Sequence, residues 1–203
     1  MKIVRNFAWL IIVVILGFIG YKQYMTPPLD ADADVISENP VRGFALTSHE
    51  GRAVTHQNFA GRYTLVYFGY TFCPDFCPVD LSKITVALNI LEAEGLDTSM
   101  VQPLFITVDP ERDTVQQMAD TVALYHPSLI GLTGELEAIQ AAADTYQVYF
   151  KKEGDPDAVD GYLMSHMNLI FLMDGESRRL QMYGAGTSPE ALAGDIRPLL
   201  KAK

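Results

Sequence analysis

The two cysteines of this chain stand close together, and their thiols are the first candidates for chemistry. Cys73 and Cys77 are the only cysteines among 203 residues, and three residues separate them. A thiolate acts as a nucleophile in redox exchange and as a ligand for soft metal ions. The spacing is one residue longer than the Cys-x-x-Cys motif of redox proteins. From the pair alone, both thiol–disulfide exchange and metal binding remain open.

The geometry expected of the pair permits either chemistry. Residues four apart on a regular helix have Cβ atoms about 5–6 Å apart, whereas a disulfide needs about 3.5–4.5 Å. Because Pro78 disfavours helical geometry at Cys77, we predict that the pair lies on a loop running into a helix, where a redox-active Cys73–Cys77 disulfide is feasible. A purely structural disulfide is the weaker alternative, since so short a closed loop gives little entropic stabilisation.

The apolar pattern predicts an alternating scaffold around the pair. Predicted strands 63–70, 101–108 and 130–132 alternate with predicted helices 80–94, 113–125 and 135–146. A small hairpin precedes them, an extended segment and a polar loop (152–161) follow, and a second hairpin and a last helix complete the order. We therefore predict an α/β, thioredoxin-like fold, a mixed sheet with flanking helices. The cysteines then lie at the carboxyl end of the first long strand, where such sheets bind ligands.

A third ligand distinguishes metal binding from simple redox exchange, and His166 is the best candidate. It closes the loop before the apolar run Met167–Met173, and in a thioredoxin-like sheet that loop faces the cysteines. Thiol oxidoreductases of this fold place a proline there, but this chain has none between Pro156 and Pro189. We therefore predict that His166 is a metal ligand. The other histidines, at positions 49, 56 and 126, are interpreted as surface or capping residues.

The head of the chain predicts a membrane segment. Lys2 and Arg5 precede an uncharged apolar run, Phe7–Tyr21, which Lys22 ends. The run just reaches the length of a spanning helix, about 20 residues, and a retained anchor and a cleaved signal both remain open. Basic residues before the run and acidic residues after it place the remainder outside the cytoplasm. We predict an N-terminal transmembrane anchor (1–22), a linker (23–40) and a domain (41–203) facing the periplasm from a bacterial inner membrane.

Composition excludes one class of partner. The formal net charge is −10, and 49% of the residues are hydrophobic. Nucleic-acid binding needs clustered Lys and Arg, so we expect no nucleic-acid partner. The hydrophobic content is ample for one packed domain.

Three stretches resemble the Sco/SenC family: FGYTFCPDFCP (68–78), VDPERDT (108–114), and Tyr162 with His166. Members are membrane-anchored, thioredoxin-fold copper proteins that help assemble the binuclear copper site of cytochrome c oxidase. The resemblance, over roughly residues 40–200, implies that Cys73, Cys77 and His166 bind copper, as Cu(I) or Cu(II), with Asp109 nearby in the site.

The resemblance further implies a metallochaperone whose partner is the copper-site subunit of the oxidase; the upstream copper donor stays unspecified. The sequence departs from the family beside the histidine, where Ser165 and Met167 replace an acidic residue and a small hydroxyl residue. Strand packing is the expected role of Met167, and gap filling that of Met164. The chaperone role involves no enzymatic turnover. The alternative, a thiol–disulfide reductase that keeps the copper-site cysteines of the oxidase reduced, would be an enzyme.

Overall fold

A computed structural model describes residues 43–201 of the chain. The strands are β1 (Ala45–Ser48), β2 (Ala53–Thr55), β3 (Tyr63–Gly69), β4 (Val101–Thr107), β5 (Ile130–Thr133), β6 (Phe150–Gly154), β7 (Tyr162–His166), β8 (Ile170–Met173) and β9 (Arg179–Tyr183). The α-helices are α1 (Phe76–Ala93), α2 (Val115–Val122), α3 (Leu136–Tyr146) and α4 (Pro189–Lys201). The predicted anchor (1–22) and linker (23–40) lie outside the described residues. Between residues 43 and 201, no helix has the length and apolarity needed to cross a membrane.

Seven strands form one mixed sheet, as the sequence predicts. Their order is β2-β1-β5-β4-β3-β8-β9. The three central strands β5, β4 and β3 are parallel, and β1, β8 and β9 run antiparallel to their neighbours. With its four helices this is an α/β, thioredoxin-like fold. The carboxyl ends of the central strands meet at one edge, and the cysteine pair follows β3 at that edge.

The centre of the sheet is covered on both faces. Side chains along a strand alternate between faces, yet every residue of β4 and all but the first of β3 are buried. Helix α1 contributes a stripe at three- and four-residue steps, Leu81, Ile84, Leu88 and Leu91, each at most 2% exposed. This periodicity is the one that predicts the helix from the sequence.

Helix α1 begins earlier than predicted. It starts at Phe76, with Asp75 as its N-cap, so Cys77 and Pro78 lie in its first turn. Proline is tolerated there because the first N–H groups of a helix have no intrahelical partner. The predicted loop position is therefore right for Cys73 and wrong for Cys77.

An additional hairpin, which the sequence does not predict, includes the start of the predicted polar loop (152–161). Strands β6 and β7 pair antiparallel, with Phe150 opposite His166 and Gly154 opposite Tyr162. Four of the five β6 residues are exposed, which explains why their polarity resembles that of a loop. His166 therefore ends a strand instead of closing a loop, and the following strand begins at Ile170 instead of Met167.

Candidate metal centre

The two cysteines lie on either side of the start of helix α1. Cys73 lies in the turn between β3 and α1 and is partly exposed, whereas Cys77 lies on the first turn of α1 and is buried. Both are free thiols. The backbone N–H groups of Asp75 and Cys77 point towards the Cys73 sulfur, as expected at the N-terminus of a helix.

Hairpin β6–β7 brings His166 to the cysteines. The His166 Nε2 atom lies 3.4 Å from the Cys77 Sγ atom. The Nε2 atom and the two sulfur atoms all lie within 4.8 Å of one another. The other ring nitrogen, Nδ1, is 3.2 Å from the Met167 carbonyl oxygen. Because a carbonyl only accepts, Nδ1 donates its N–H to Met167, and Nε2 is the ring nitrogen that faces the sulfur atoms.

The pKa values of the two thiols are shifted in opposite directions. A hydrogen bond from Cys77, together with the His166 ring and the two backbone N–H groups, lowers the pKa of Cys73 to about 3, although partial burial opposes this. The Cys73 thiolate and burial in turn raise the pKa of Cys77. The metal-free pair therefore carries one negative charge at neutral pH. A soft cation that displaces the remaining proton gains two thiolate ligands.

A glycine makes room for the Cys77 sulfur. A Cβ atom added at Gly69 would lie 2.9 Å from Cys77 Sγ and 2.7 Å from Cε1 of Tyr67. Both neighbours are buried, at 2% and 0% exposed. The Tyr67 hydroxyl faces the Cys77 sulfur but makes no well-aligned hydrogen bond among the described residues. Burial, followed by the neighbouring Cys77, raises its pKa. The floor of the site is therefore tightly packed and uncharged.

The donor set suits a soft ion. Metal–sulfur bonds of about 2.3 Å and metal–nitrogen bonds of about 2.0 Å put three ligands around one ion roughly 4 Å apart. The three side chains already lie within 4.8 Å, so a small movement closes them on an ion. Two thiolates and one imidazole select Cu(I) over hard cations. These residues fit copper.

Asp109 is buried, at 3% exposed. Its Oδ2 atom accepts a hydrogen bond from Arg112 Nε at 2.5 Å, and its Oδ1 atom accepts one from the Tyr162 hydroxyl at 3.0 Å. The side chain thus pairs with a cation and with a hydroxyl group. Arg112 connects Asp109 to the copper site. Its guanidinium lies 5.7 Å from the ring centre of Tyr70, which lines the same cavity as Cys73 and His166.

Asp113, which is predicted only to start a helix, also anchors the turn that carries Cys73. Its fully buried carboxylate accepts hydrogen bonds from the Thr71 backbone N–H at 3.0 Å, the Thr71 hydroxyl at 2.6 Å and the Thr107 hydroxyl at 2.6 Å. Burial raises its pKa. An acidic residue inside the VDPERDT motif, directly before the capping Thr114, was the available signal.

Two side chains, His126 and Met167, differ from their predicted settings, whereas Met164 agrees with its prediction. His126 is 6% exposed and contacts the Ser128 hydroxyl at 2.7 Å and Glu92 at 3.2 Å, so it is a buried residue and not a surface one. Met167 is 40% exposed, which contradicts strand packing. Met164 is buried, as gap filling requires.

The chain is similar to known proteins over most of its length. A sequence model of the family described as SCO1/SenC matches residues 36–201. The chain is 38% identical over 176 residues to "Protein SCO1 homolog 1, mitochondrial" of Arabidopsis thaliana, which covers 83% of this chain and 51% of the relative. The chain therefore spans about half the length of that relative.

Two solved structures share the fold. ScoI of Arabidopsis thaliana with copper bound is 40% identical, with a TM-score of 0.72 over 79% of this chain and 98% of that chain. ScoI of Bradyrhizobium japonicum with copper bound is 38% identical, with a TM-score of 0.69 over 77% of this chain and 96% of that chain.

Proposed function

Because this chain belongs to the SCO1/SenC family, we propose that it is a copper metallochaperone that binds one copper ion through Cys73, Cys77 and His166. Its client is the copper-site subunit of cytochrome c oxidase, whose binuclear copper site it helps to assemble. The observation that carries the copper assignment is the convergence of two sulfur atoms and one imidazole nitrogen within 4.8 Å. The client follows from the family resemblance.

The arrangement suits cargo that is held and then released. Two thiolates and one imidazole leave copper accessible to a further ligand. The site borders a cavity that also touches Phe76, Glu153 and Asn168, so an incoming cysteine has a path to the ion. Phe76 is 47% exposed beside this opening, and the partner's apolar groups can pack there during transfer.

We also propose that the apolar head keeps the protein at a membrane, with the domain on the non-cytoplasmic side of a bacterial inner membrane. The support is the uncharged run Phe7–Tyr21 between Lys2, Arg5 and Lys22. Alkaline carbonate extraction of cells tests the anchor. The full-length chain should stay in the membrane pellet, whereas a chain without residues 1–22 should be released.

Copper binding is tested with the full-length chain in mild detergent under reducing conditions. Competition with the Cu(I) chelator bathocuproine disulfonate should give one Cu(I) per chain. Cys73→Ala and Cys77→Ala should abolish tight binding, and His166→Ala should weaken it at least tenfold. His49→Ala is the matched control, since the His49 ring belongs to the β1–β2 turn, where its Nδ1 atom accepts a hydrogen bond from the Gly131 backbone N–H. Wild-type protein that takes up no copper, or an His166→Ala variant with wild-type affinity, would refute the proposal.

One observation favours the reductase as a second function. Cys73 is partly exposed, and its lowered pKa, about 3, makes it a thiolate. This thiolate can attack a disulfide of the oxidase and form a mixed disulfide with it. Cys77 then loses its proton and attacks the Cys73 sulfur, which releases the reduced client and leaves a Cys73–Cys77 disulfide. His166→Ala separates the two functions, because a reductase keeps thiol exchange in that variant whereas a chaperone loses copper transfer.

A further inference from the structure

We propose that Arg112 is a positioning residue: it holds hairpin β6–β7 so that His166 reaches the cysteines. The inference rests on the proposed function, because it concerns the third ligand of the copper site. It adds a residue that makes no contact with the ligand atoms themselves. Its role is argued from the contacts that join the hairpin to the rest of the domain.

The hairpin needs such a contact because it lies outside the main sheet. Within residues 43–201, β6 and β7 pair only with each other. Side chains two apart on a strand share a face, so Tyr162, Met164 and His166 point to the same side. Tyr162 and Met164 are 7% and 9% exposed. The position of His166 therefore depends on how this face packs.

Arg112 connects the backbone of the hairpin to the loop after β4. Its Nη1 atom donates to the carbonyl oxygens of Val159 at 2.9 Å and Tyr162 at 3.3 Å. Its Nε atom donates to Asp109 Oδ2 at 2.5 Å, and its side chain is only 7% exposed. The pairing with Asp109 compensates for burying the charge. The planar guanidinium can serve both partners at once, which an ammonium group cannot do in the same geometry.

The same guanidinium lies between the hairpin and the cysteine turn. Its central carbon is 3.7 Å from the Tyr162 ring centre and 5.0 Å from that of Phe72, the residue before Cys73. It also lies 5.7 Å from the ring centre of Tyr70. The Tyr70 ring in turn contacts the His166 ring edge to face, with ring centres 5.9 Å apart and an interplanar angle of 87°. Arg112 thus touches both segments that supply ligands.

Asp109 completes the arrangement from the other side. Its second oxygen accepts a hydrogen bond from the Tyr162 hydroxyl at 3.0 Å, so the carboxylate fixes both Arg112 and the ring on which Arg112 stacks. Tyr162 begins β7 and His166 ends it. Holding the first residue of so short a strand fixes the direction in which the last residue points.

The test measures Cu(I) affinity and the imidazole ligand in the full-length Arg112→Gln variant. Loss of a residue that orients a ligand costs about 10–100-fold in metal affinity, and we expect a loss in that range. X-ray absorption at the copper edge should lose the outer-shell scattering of a bound imidazole. Combining Arg112→Gln with His166→Ala should lower affinity no further than His166→Ala alone, because Arg112 acts through His166.

Lys152→Gln is the matched control. The Lys152 ammonium also lies over the Tyr162 ring, at 3.8 Å, but its side chain is 46% exposed and pairs with Glu111. A solvent-exposed cation–π contact contributes little, so this variant should bind copper within twofold of wild type. An equal loss in Lys152→Gln and Arg112→Gln would overturn the specific role of Arg112.

A metal-free measurement keeps the inference separate from the copper proposal. Hydrogen exchange of peptides covering residues 150–166 should become at least tenfold faster in Arg112→Gln, with the β3 and β4 peptides unchanged. If Arg112→Gln does not fold, Arg112→Lys retains the charge without the planar fork and should show the same two effects. Wild-type exchange together with wild-type copper affinity in either folded variant refutes the positioning role. Failure of wild-type protein to bind copper refutes the proposed function instead.

Discussion

Adding one methyl group at Gly69 should disturb the copper site without replacing any of the three ligands. Gly69 ends β3, and the space for its missing Cβ is bordered by Cys77 Sγ at 2.9 Å, Tyr67 Cε1 at 2.7 Å and Phe105 Cε2 at 3.2 Å. An ordinary contact begins near 3.4 Å, so the sulfur is about 0.5 Å too close and the Tyr67 carbon about 0.7 Å too close. Gly69→Ala must therefore push at least one of these neighbours aside.

The cost follows from how little these neighbours can move. Tyr67 and Phe105 are 0% exposed, and Cys77 is 2% exposed. The Tyr67 and Phe105 rings also contact each other, with centres 6.1 Å apart. Overpacking a dense core costs about 1–3 kcal/mol, so we expect the free energy of unfolding to fall by that amount. The sulfur is the smallest of the three groups and the one facing the site. If it yields, bringing it back to the metal costs part of the same strain, and about 1.4 kcal/mol corresponds to a tenfold lower affinity.

Urea unfolding and chelator competition measure the two effects. Gly184→Ala is the control, because nothing lies within 4 Å of an added Cβ there; a glycine replaced at a compatible site leaves stability unchanged or slightly improved. The reasoning fails if Gly69→Ala unfolds at the wild-type urea concentration and binds Cu(I) with wild-type affinity. It also fails if the Gly184→Ala control loses as much.

Three further predictions follow from buried or polarised groups. Asp113→Ala leaves three hydrogen-bond donors without an acceptor and should lower the free energy of unfolding by about 3 kcal/mol or more. Burial raises the pKa of Asp113, so the stability of wild type relative to Asp113→Asn should fall as pH rises through that pKa. Urea unfolding at several pH values measures both effects. Iodoacetamide should alkylate Cys73 but not Cys77 at pH 5 in metal-free protein, since the pKa of Cys73 is about 3; peptide mass spectrometry checks this, and labelling that slows tenfold per pH unit below 8 contradicts it. Tyr67→Phe should change the free energy of unfolding by less than about 1 kcal/mol, because the deleted hydroxyl makes no well-aligned hydrogen bond among residues 43–201 and faces the weakly accepting Cys77 sulfur. Thermal unfolding measures the change, and a larger loss contradicts the prediction.

The main sheet could be predicted because its signals are local. The apolar runs of β3 and β4 and the four-residue stripe of α1 appear directly in the sequence, and the structure confirms them. Hairpin β6–β7 could not be predicted in the same way. Its first strand is mostly exposed, so no alternation of apolar and polar residues marks it. Its position comes from tertiary contacts, notably those of Arg112 and Tyr162.

The start of α1 shows a conflict between two local rules. Pro78 disfavours helical geometry at the residue before it, and on that basis a loop at Cys77 is expected. A helix tolerates proline in its first turn, and the structure takes this solution, with the helix beginning at Phe76. The sulfur of Cys77 is thereby buried against the sheet while that of Cys73 stays accessible. This difference in setting separates the roles of two thiols that the sequence presents as equivalent.

The candidate site thus has a local half and a tertiary half. The two thiols are held by one turn, whose Thr71 is tied to Asp113, and their closeness needs only that turn and the first turn of α1. The imidazole comes from 89 residues further along the chain than Cys77 and is brought there by a hairpin with no strand partner in the main sheet. Under the proposed function, the chain must release its copper ion to a client. The separate support of His166 makes it the ligand whose release requires the least rearrangement of the core.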